Sequence, residues 1–165
     1  MTVSQWKSGL PFTVCGAGSL PGNTATARRV LPEWCKKYGL HIVNDAGAGD
    51  MMWRKGMVWD VTYRPFDLSP VNETVTKIDI TEEAMPACDL ILCRWVLNHV
   101  GINHAKRAVA LFPQSGRYLA ATQYDIEMPK GRYDLRKWLG PPLESVPDGA
   151  FKPELLSDPA KAEQI

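Results

Sequence analysis

Residues 41–50 read His-Ile-Val-Asn-Asp-Ala-Gly-Ala-Gly-Asp. An apolar run ends on Asp45, two glycines follow one residue apart, and Asp50 closes the stretch. The pattern predicts a strand, a tight turn and then a short helix-compatible segment, Met51 to Trp59. In open α/β sheets, ligands bind beyond the carboxyl ends of strands, where such a turn sits. Gly47 and Gly49 let the backbone bend sharply and approach a ligand closely, because no Cβ intervenes. Asp45 and Asp50 make the mouth acidic. That suits a ligand with positive charge or hydroxyl donors better than one with phosphates. An ordinary strand-to-helix turn is the competing reading. Gly47-Ala48-Gly49-Asp50-Met51-Met52 lacks the third glycine of the dinucleotide fingerprint, and the chain contains no phosphate-binding G-x-x-x-x-G-K-[ST].

The cysteines offer less. They stand at 15, 35, 88 and 93, and the one close pair, Cys88 and Cys93, fits no common zinc spacing. All four read as reduced, mostly core thiols, and no metal is expected.

The elements that must carry these residues follow from periodicity. Residues 1–22 are broken by glycines and prolines and read as irregular. Asn23 is a good N-cap, and Thr24 to Tyr38 reads as a helix ended by Gly39. Pro32 inside that run predicts a kink or two short helices. Strands are expected at His41–Asn44, Val61–Phe66, Val75–Ile78, Leu90–Cys93 and Arg117–Thr122. Asp67 and Asp79 close the second and third. Trp95–His99 and Asn103–Leu111 read as helix, broken near Gly101. Alternating strands and helices argue for an α/β fold with a mostly parallel sheet.

Seven residues, Leu68 to Thr74, separate the second and third strands. A parallel crossover usually takes about a dozen or more, with a helix. Seven extended residues reach about 23–25 Å, just enough to run back along a short strand of about 17 Å. A bare loop is therefore expected. It leaves part of a sheet face uncovered, and such a face is commonly buried by a partner, which makes a homo-oligomer the expectation. Beyond Asp125 the chain is rich in proline and glycine. Residues 132–139 are a candidate edge strand, and 153–165 a polar tail with a frayed helix. Residues 1–152 are read as one domain.

The chain has 165 residues, of which 45% are hydrophobic and 22% charged, with a formal net charge of +1. That supports one real core and no global field toward nucleic acid or membrane. No run of eighteen apolar residues is present. The first residues lack the apolar stretch of a signal peptide, so a cytoplasmic protein is expected.

The ordered strand ends resemble those of the class I S-adenosylmethionine-dependent methyltransferases. Asp45-Ala46-Gly47-Ala48-Gly49-Asp50 resembles that family's glycine-rich first motif. Asp67, Lys77-Ile78-Asp79-Ile80, Asp89 to His99 and Arg117 to Thr122 resemble the ends of its second to fifth strands. The chain also resembles a group of small bacterial and phage proteins of this superfamily. They share a Gly-x-Gly-Ser segment (here Gly16-Ala17-Gly18-Ser19), an Asn-Thr before a helix (Asn23-Thr24) and a Trp after the glycine loop (Trp53). The likeness spans about residues 14–145. The chain departs from the group in lacking a helix between the second and third strands, and its stretch after Thr122 is shorter.

The resemblance implies a three-layer Rossmann-like methyltransferase fold in reduced form, with S-adenosylmethionine as cofactor and S-adenosylhomocysteine as product. It implies that Gly47 and Gly49 pack under the cofactor and that Asp45 orients the loop or meets the methionine ammonium. Asp67 would accept from the ribose hydroxyls. Asp79 would accept from the adenine amino group while the Ile80 amide donates to the ring. Arg94 would face cofactor and acceptor, and Trp53 and Trp95 would wall the pocket. His99 and Tyr124 are the candidate bases, each with a plain structural role as its alternative; Asp125 is weaker. For Asp67 and Asp79 the alternative is a turn cap, for Arg94 an ion pair with Asp45 or Asp89, and for Trp53 and Trp95 the core.

The acceptor is less legible. The chain has no Asp-Pro-Pro-Tyr or Asn-Pro-Pro-Tyr tetrad and no Pro-Cys pair. The basic group Lys130, Arg132, Arg136 and Lys137, with Tyr133 and Trp138, fits a solvated face better than a nucleic-acid surface. A small molecule, sugar or modified nucleotide is favoured. A cofactor-binding subunit without transferase activity and a different nucleotide-binding α/β enzyme are the rivals.

Overall fold

The structure, a computed structural model, describes residues 13–122, 143–148 and 152–157. Within these residues the chain forms one sheet in the order β3-β2-β1-β4-β5-β7-β6. The strands are β1 (Ile42–Ala46), β2 (Thr62–Asp67), β3 (Thr76–Lys77), β4 (Cys88–Cys93), β5 (Gly116–Thr122), β6 (Glu144–Asp148) and β7 (Lys152–Ser157). Neighbours from β3 through β5 run parallel. β7 lies antiparallel between β5 and β6.

Among the described residues two helices make the outer layers, α1 (Ala25–Tyr38) and α2 (Ile102–Leu111). Val30, Leu31, Trp34 and Cys35 of α1 pack on Val43, Leu90, Leu92 and Ala120. Ala105, Ala108 and Val109 of α2 pack with Phe112 on Ala46, Ile91, Cys93, Leu119 and Ala121. Odd and even positions of the central strands thus feed opposite faces, as period-two side-chain alternation requires. β1 and β4 are buried on both faces because both are covered.

Four expectations change. Of the two alternatives at Pro32, two short helices are not formed: the proline lies inside one continuous α1. A proline there costs about 3 kcal/mol, and the buried side chains beside it, Leu31, Trp34 and Cys35, outweigh that at about 1.5–3 kcal/mol per large apolar side chain. The cap of α1 is Thr24, while the Asn23 amide donates to the Ala17 carbonyl at 2.8 Å. The segments after β1 and β4 are not helices. Met51 and Trp95 adopt left-handed φ values of 56° and 61°, which no right-handed helix continues. What remains is a single 3-10 turn, Met52–Arg54, and one turn in which the His99 amide reaches the Val96 carbonyl at 2.9 Å. Finally, part of the expected polar tail is strand β7, which covers the otherwise open backbone edge of β5.

The bare connection between β2 and β3 is as expected. It is built from turns, with Asp67 and Asn72 each accepting from a residue two positions on. The β1–β2 connection also lacks an α-helix, so aromatic packing covers that face. Trp53, Met57, Trp59 and Tyr63 fill it, and the Arg54 guanidinium lies 3.7 Å from the Tyr63 ring centre. Arg28 on α1 ties the segment down by donating to the Trp53 and Lys55 carbonyls at 3.0 and 2.9 Å. At the β3 edge Thr76 and Lys77 are exposed, as are Leu68 and Val71 in the connection that precedes it. The candidate strand 132–139, Tyr124, Asp125 and the basic group from Lys130 to Trp138 lie outside the described residues.

Candidate functional site

The turn after β1 is held to β2 by the amides of Gly47 and Ala48, which donate to the Phe66 carbonyl at 2.8 and 2.9 Å. Gly47 has φ +86° and Gly49 φ +56°, values that L side chains adopt only with strain. The space beside them is occupied by protein. A Cβ on Gly47 would lie 2.1 Å from Val96 Cγ2, and one on Gly49 would lie 2.3 Å from Cys15 Sγ. The glycines therefore serve close approach within the chain, from the turn after β4 and from the N-terminal segment. Neither Val96 nor Cys15 carries any signal of this in the sequence.

Asp67 connects three strand ends. Its Oδ2 accepts from the Gly49 amide at 2.9 Å, its Oδ1 from the Ser69 amide at 2.9 Å, and its carbonyl from the Ile78 amide at 3.0 Å. Each carboxylate oxygen offers about two lone pairs, so one on each remains for a ligand. Asp79 lies just past β3. Its Oδ1 accepts from the Thr81 amide and hydroxyl at 2.9 and 2.7 Å, and its carbonyl accepts from the Glu82 and Glu83 amides. It caps that turn while Oδ2 makes no bond among the described residues. Ile80 is half-buried against the α2-side core.

Asp45 is placed differently. It is 2% exposed and accepts from Trp53 Nε1 at 3.0 Å and from the Tyr63 hydroxyl. Burial raises its pKa to about 6, against the lowering effect of Tyr63, Trp53, Arg94 and Arg54. Burial and the Asp45 charge push the Tyr63 phenol up as well. Its carboxylate is thus directed at the aromatic layer over β1 and β2. Trp53, 5% exposed, belongs to the α1-side core. Arg94 is 8% exposed, with its guanidinium 5.4 Å from the Trp53 ring centre. Its charge acts on Asp45. Asp89 is held at the other end of β4, accepting from the His41 and Ile42 amides.

Trp95 and His99 share the turn after β4, their ring centres 6.2 Å apart. A left-handed φ at a bulky tryptophan is a strained backbone of the kind that clusters at ligand sites. Asn98, which no sequence pattern singles out, is buried and donates to the Thr122 carbonyl at 3.1 Å. It fixes that turn to the end of β5. The cysteines are free, and burial raises Cys15, Cys35 and Cys88 to about 11 and Cys93 to about 12. Those thiols are held in the protonated form at neutral pH. Among the described residues no group of three His, Cys, Asp or Glu could hold a metal, and no helix is long and apolar enough to cross a membrane.

No family model and no curated protein matches the sequence, but solved structures match the fold. One is magnesium protoporphyrin IX methyltransferase from Synechocystis PCC 6803 with bound S-adenosylmethionine. It is 17% identical with a TM-score of 0.59, over 83% of this chain and 79% of that one. A second is the N-methyltransferase NodS from Bradyrhizobium japonicum WM9 in complex with S-adenosylhomocysteine, 11% identical with a TM-score of 0.62, over 84% and 88%. A third is the N-terminal domain of EvdMO1 with S-adenosylhomocysteine bound, 11% identical with a TM-score of 0.59, over 96% and 92%.

Proposed function

We propose that this chain, which has the fold of the class I S-adenosylmethionine-dependent methyltransferases, binds S-adenosylmethionine at the carboxyl ends of β1 to β4 and transfers its methyl group. The observation that carries the reading is the rim joined by Asp67, where one carboxylate holds the glycine turn and its own carbonyl holds the end of β3. The residues fit the group. The remaining lone pairs of Asp67 Oδ1 and Oδ2 match a vicinal diol. Asp79 Oδ2 and the Ile80 amide match an adenine edge, and the glycine turn reaches the site through the Gly49 amide bound to Asp67, since the Cβ sides of Gly47 and Gly49 face Val96 and Cys15.

The bound cofactor supplies a methyl on a sulfonium, already a strong electrophile. The chain's part is to hold and align, and well-oriented reactions gain up to about 7–11 kcal/mol from that alone. The Arg94 charge is balanced by Asp45, which stands in β1 two residues before Gly47. Trp95 and His99 lie on the β4 side, where an acceptor would stand, and His99 takes a proton if the acceptor must lose one. An acceptor that is a small molecule, sugar or modified nucleotide is in keeping with the absence of the DNA-methylating tetrads. The exposed β3 edge, with Leu68 and Val71 in the connection before it, keeps self-association as part of this reading.

A thermal-shift assay tests the cofactor. S-adenosylhomocysteine raises the melting temperature and NAD does not; the reverse result would mark a different nucleotide enzyme. Incubation with methyl-labelled cofactor and a cell extract then yields a labelled acceptor. Binding without any label transfer would reduce the protein to a cofactor-binding subunit.

A further inference from the structure

The sequence motif Gly16-Ala17-Gly18-Ser19 has no part in the rim just described, yet the structure places it at the rim's edge. Asp50, the last residue of the acidic mouth, does not point at open solvent. Its Oδ2 accepts from the Thr13 hydroxyl at 2.6 Å and from the Val14 amide at 2.9 Å, and its Oδ1 from the Met52 amide at 3.0 Å. Thr13 Oγ1 accepts in turn from the Cys15 amide at 3.0 Å, and Cys15 Sγ accepts from the Asp50 amide at 3.3 Å. The segment is thereby stapled at both ends of one residue, and the thiol fills the space that glycine leaves at 49.

From there the chain turns at Gly16, whose φ of +87° suits glycine, and runs past the β4 end. A Cβ on Gly18 would sit 3.7 Å from Trp95 Nε1. The turn is closed by the Ser19 amide on the Gly16 carbonyl at 3.0 Å and by Asn23 on Ala17. Residues 13–19 thus bridge the ends of β1 and β4, touching Gly49, whose amide is bound to Asp67, and Trp95.

We infer that Asp50 is a positioning residue: it fastens the segment Thr13–Ser19 across the ends of β1 and β4 as a wall of the cofactor site. This rests on the cofactor reading above. The burial of Asp50 opposes its ionisation, but the donors Thr13, Met52 and Val14 outweigh that and hold its carboxyl below the ordinary range. The fastening therefore persists at neutral pH. A ligand lying on the glycine turn leaves only when the segment lifts, so the bonds to Asp50 Oδ2 slow its release.

The test measures release of S-adenosylhomocysteine from the full chain by stopped flow, alongside melting temperature without ligand. Asp50→Asn keeps an acceptor for Met52 but presents an amide nitrogen where Thr13 and Val14 need an oxygen. Thr13→Val removes the hydroxyl from the other side, and Thr13→Ser restores it. Release is expected to quicken about ten- to a hundredfold in Asp50→Asn and Thr13→Val, the effect of losing charge-assisted hydrogen bonds, and to return to wild type in Thr13→Ser. Hydrogen exchange at the Val14 and Cys15 amides rises in the same two variants. Wild-type binding with unchanged release in both variants overturns the inference alone. A folded wild type that does not bind S-adenosylhomocysteine overturns the cofactor reading and this inference with it.

Discussion

Asp45 and Asp67 stand at the carboxyl ends of neighbouring parallel strands, Asp45 opposite Pro65 and Asp67 just beyond the pair Ala46 and Phe66, yet they live in different surroundings. Asp45 is enclosed by Trp53 and Tyr63, with the charges of Arg54 and Arg94 near it. Asp67 is half-exposed and holds two backbone amides, one of them in the glycine turn. The first supports the layer beneath the site, and the second forms the site's edge. The same residue type at similar strand ends takes its role from the connection that follows. After β1 the chain folds tryptophans back over its own carboxylate. After β2 the bare turn leaves the carboxylate open.

This contrast can be broken at several points. The largest effect is expected at the turn both carboxylates flank. Gly47→Val forces a side chain onto Val96 at a positive φ and should cost about 2–6 kcal/mol of stability, read by urea unfolding. Val96→Ala in the same chain recovers part of that, because the collision goes and the backbone strain stays. Next, Asp45→Ala leaves the Trp53 and Tyr63 donors buried without an acceptor. Unfolding should show a loss of about 2–5 kcal/mol; a loss as small as a surface mutant's would place Asp45 with Asp67.

The pH dependence sharpens the same point. Folding raises the Asp45 pKa from its ordinary value of 3.8 to about 6, so between these values the folded state binds the extra proton. Its contribution is full below about pH 4 and is lost as pH rises through about 6, a swing of up to about 3 kcal/mol. The stability of wild type relative to Asp45→Asn should therefore grow as pH falls from about 6 to about 4. Asp89 has the opposite sign. Burial opposes its charge, but donors from His41 and Ile42 hold its pKa down, so its contribution fades as the medium becomes more acid. Both wild type and Asp45→Asn carry Asp89, so the comparison between them cancels it. Asp67→Ala should leave the unliganded protein within about 1 kcal/mol of wild type, since the Ser69 amide is exposed and the Gly49 amide only half-buried. Asp79→Ala, which frees only the Thr81 turn, should cost about 0.5–1.5 kcal/mol by the same unfolding measurement.

The strand ends are readable in the sequence because glycine and aspartate mark the close of an apolar run in few other ways. Asp45, Asp67 and Asp79 fall within two residues of their strand ends, and the missing helix between β2 and β3 follows from chain length alone. The expected helices at Met51–Trp59 and Trp95–His99 do not form; each segment opens on a left-handed residue, Met51 or Trp95, and Gly56 adds another positive φ inside the first, and backbone conformation of this kind leaves no trace in hydrophobic periodicity. The partners of the glycines, Val96 and Cys15, are invisible locally because they lie 49 and 34 positions away in the chain. Tyr63 reads as a strand residue, and nothing local says that its hydroxyl meets Asp45. Strands β6 and β7 escape the sequence reading because Glu-Ser-Val-Pro-Asp and Lys-Pro-Glu-Leu-Leu-Ser are mostly polar, show no sustained apolar alternation and lie in a stretch rich in proline and glycine.

The claim that Asp67 edges a cofactor site is tested most directly by calorimetric titration of S-adenosylhomocysteine into wild type and Asp67→Ala. Wild type should bind at one site, and the variant should be weaker by about 1.5–3 kcal/mol, the range for hydrogen bonds to a charged group, with its unliganded melting temperature little changed. Absence of binding heat from folded wild type, or equal affinity in the two proteins, contradicts the account.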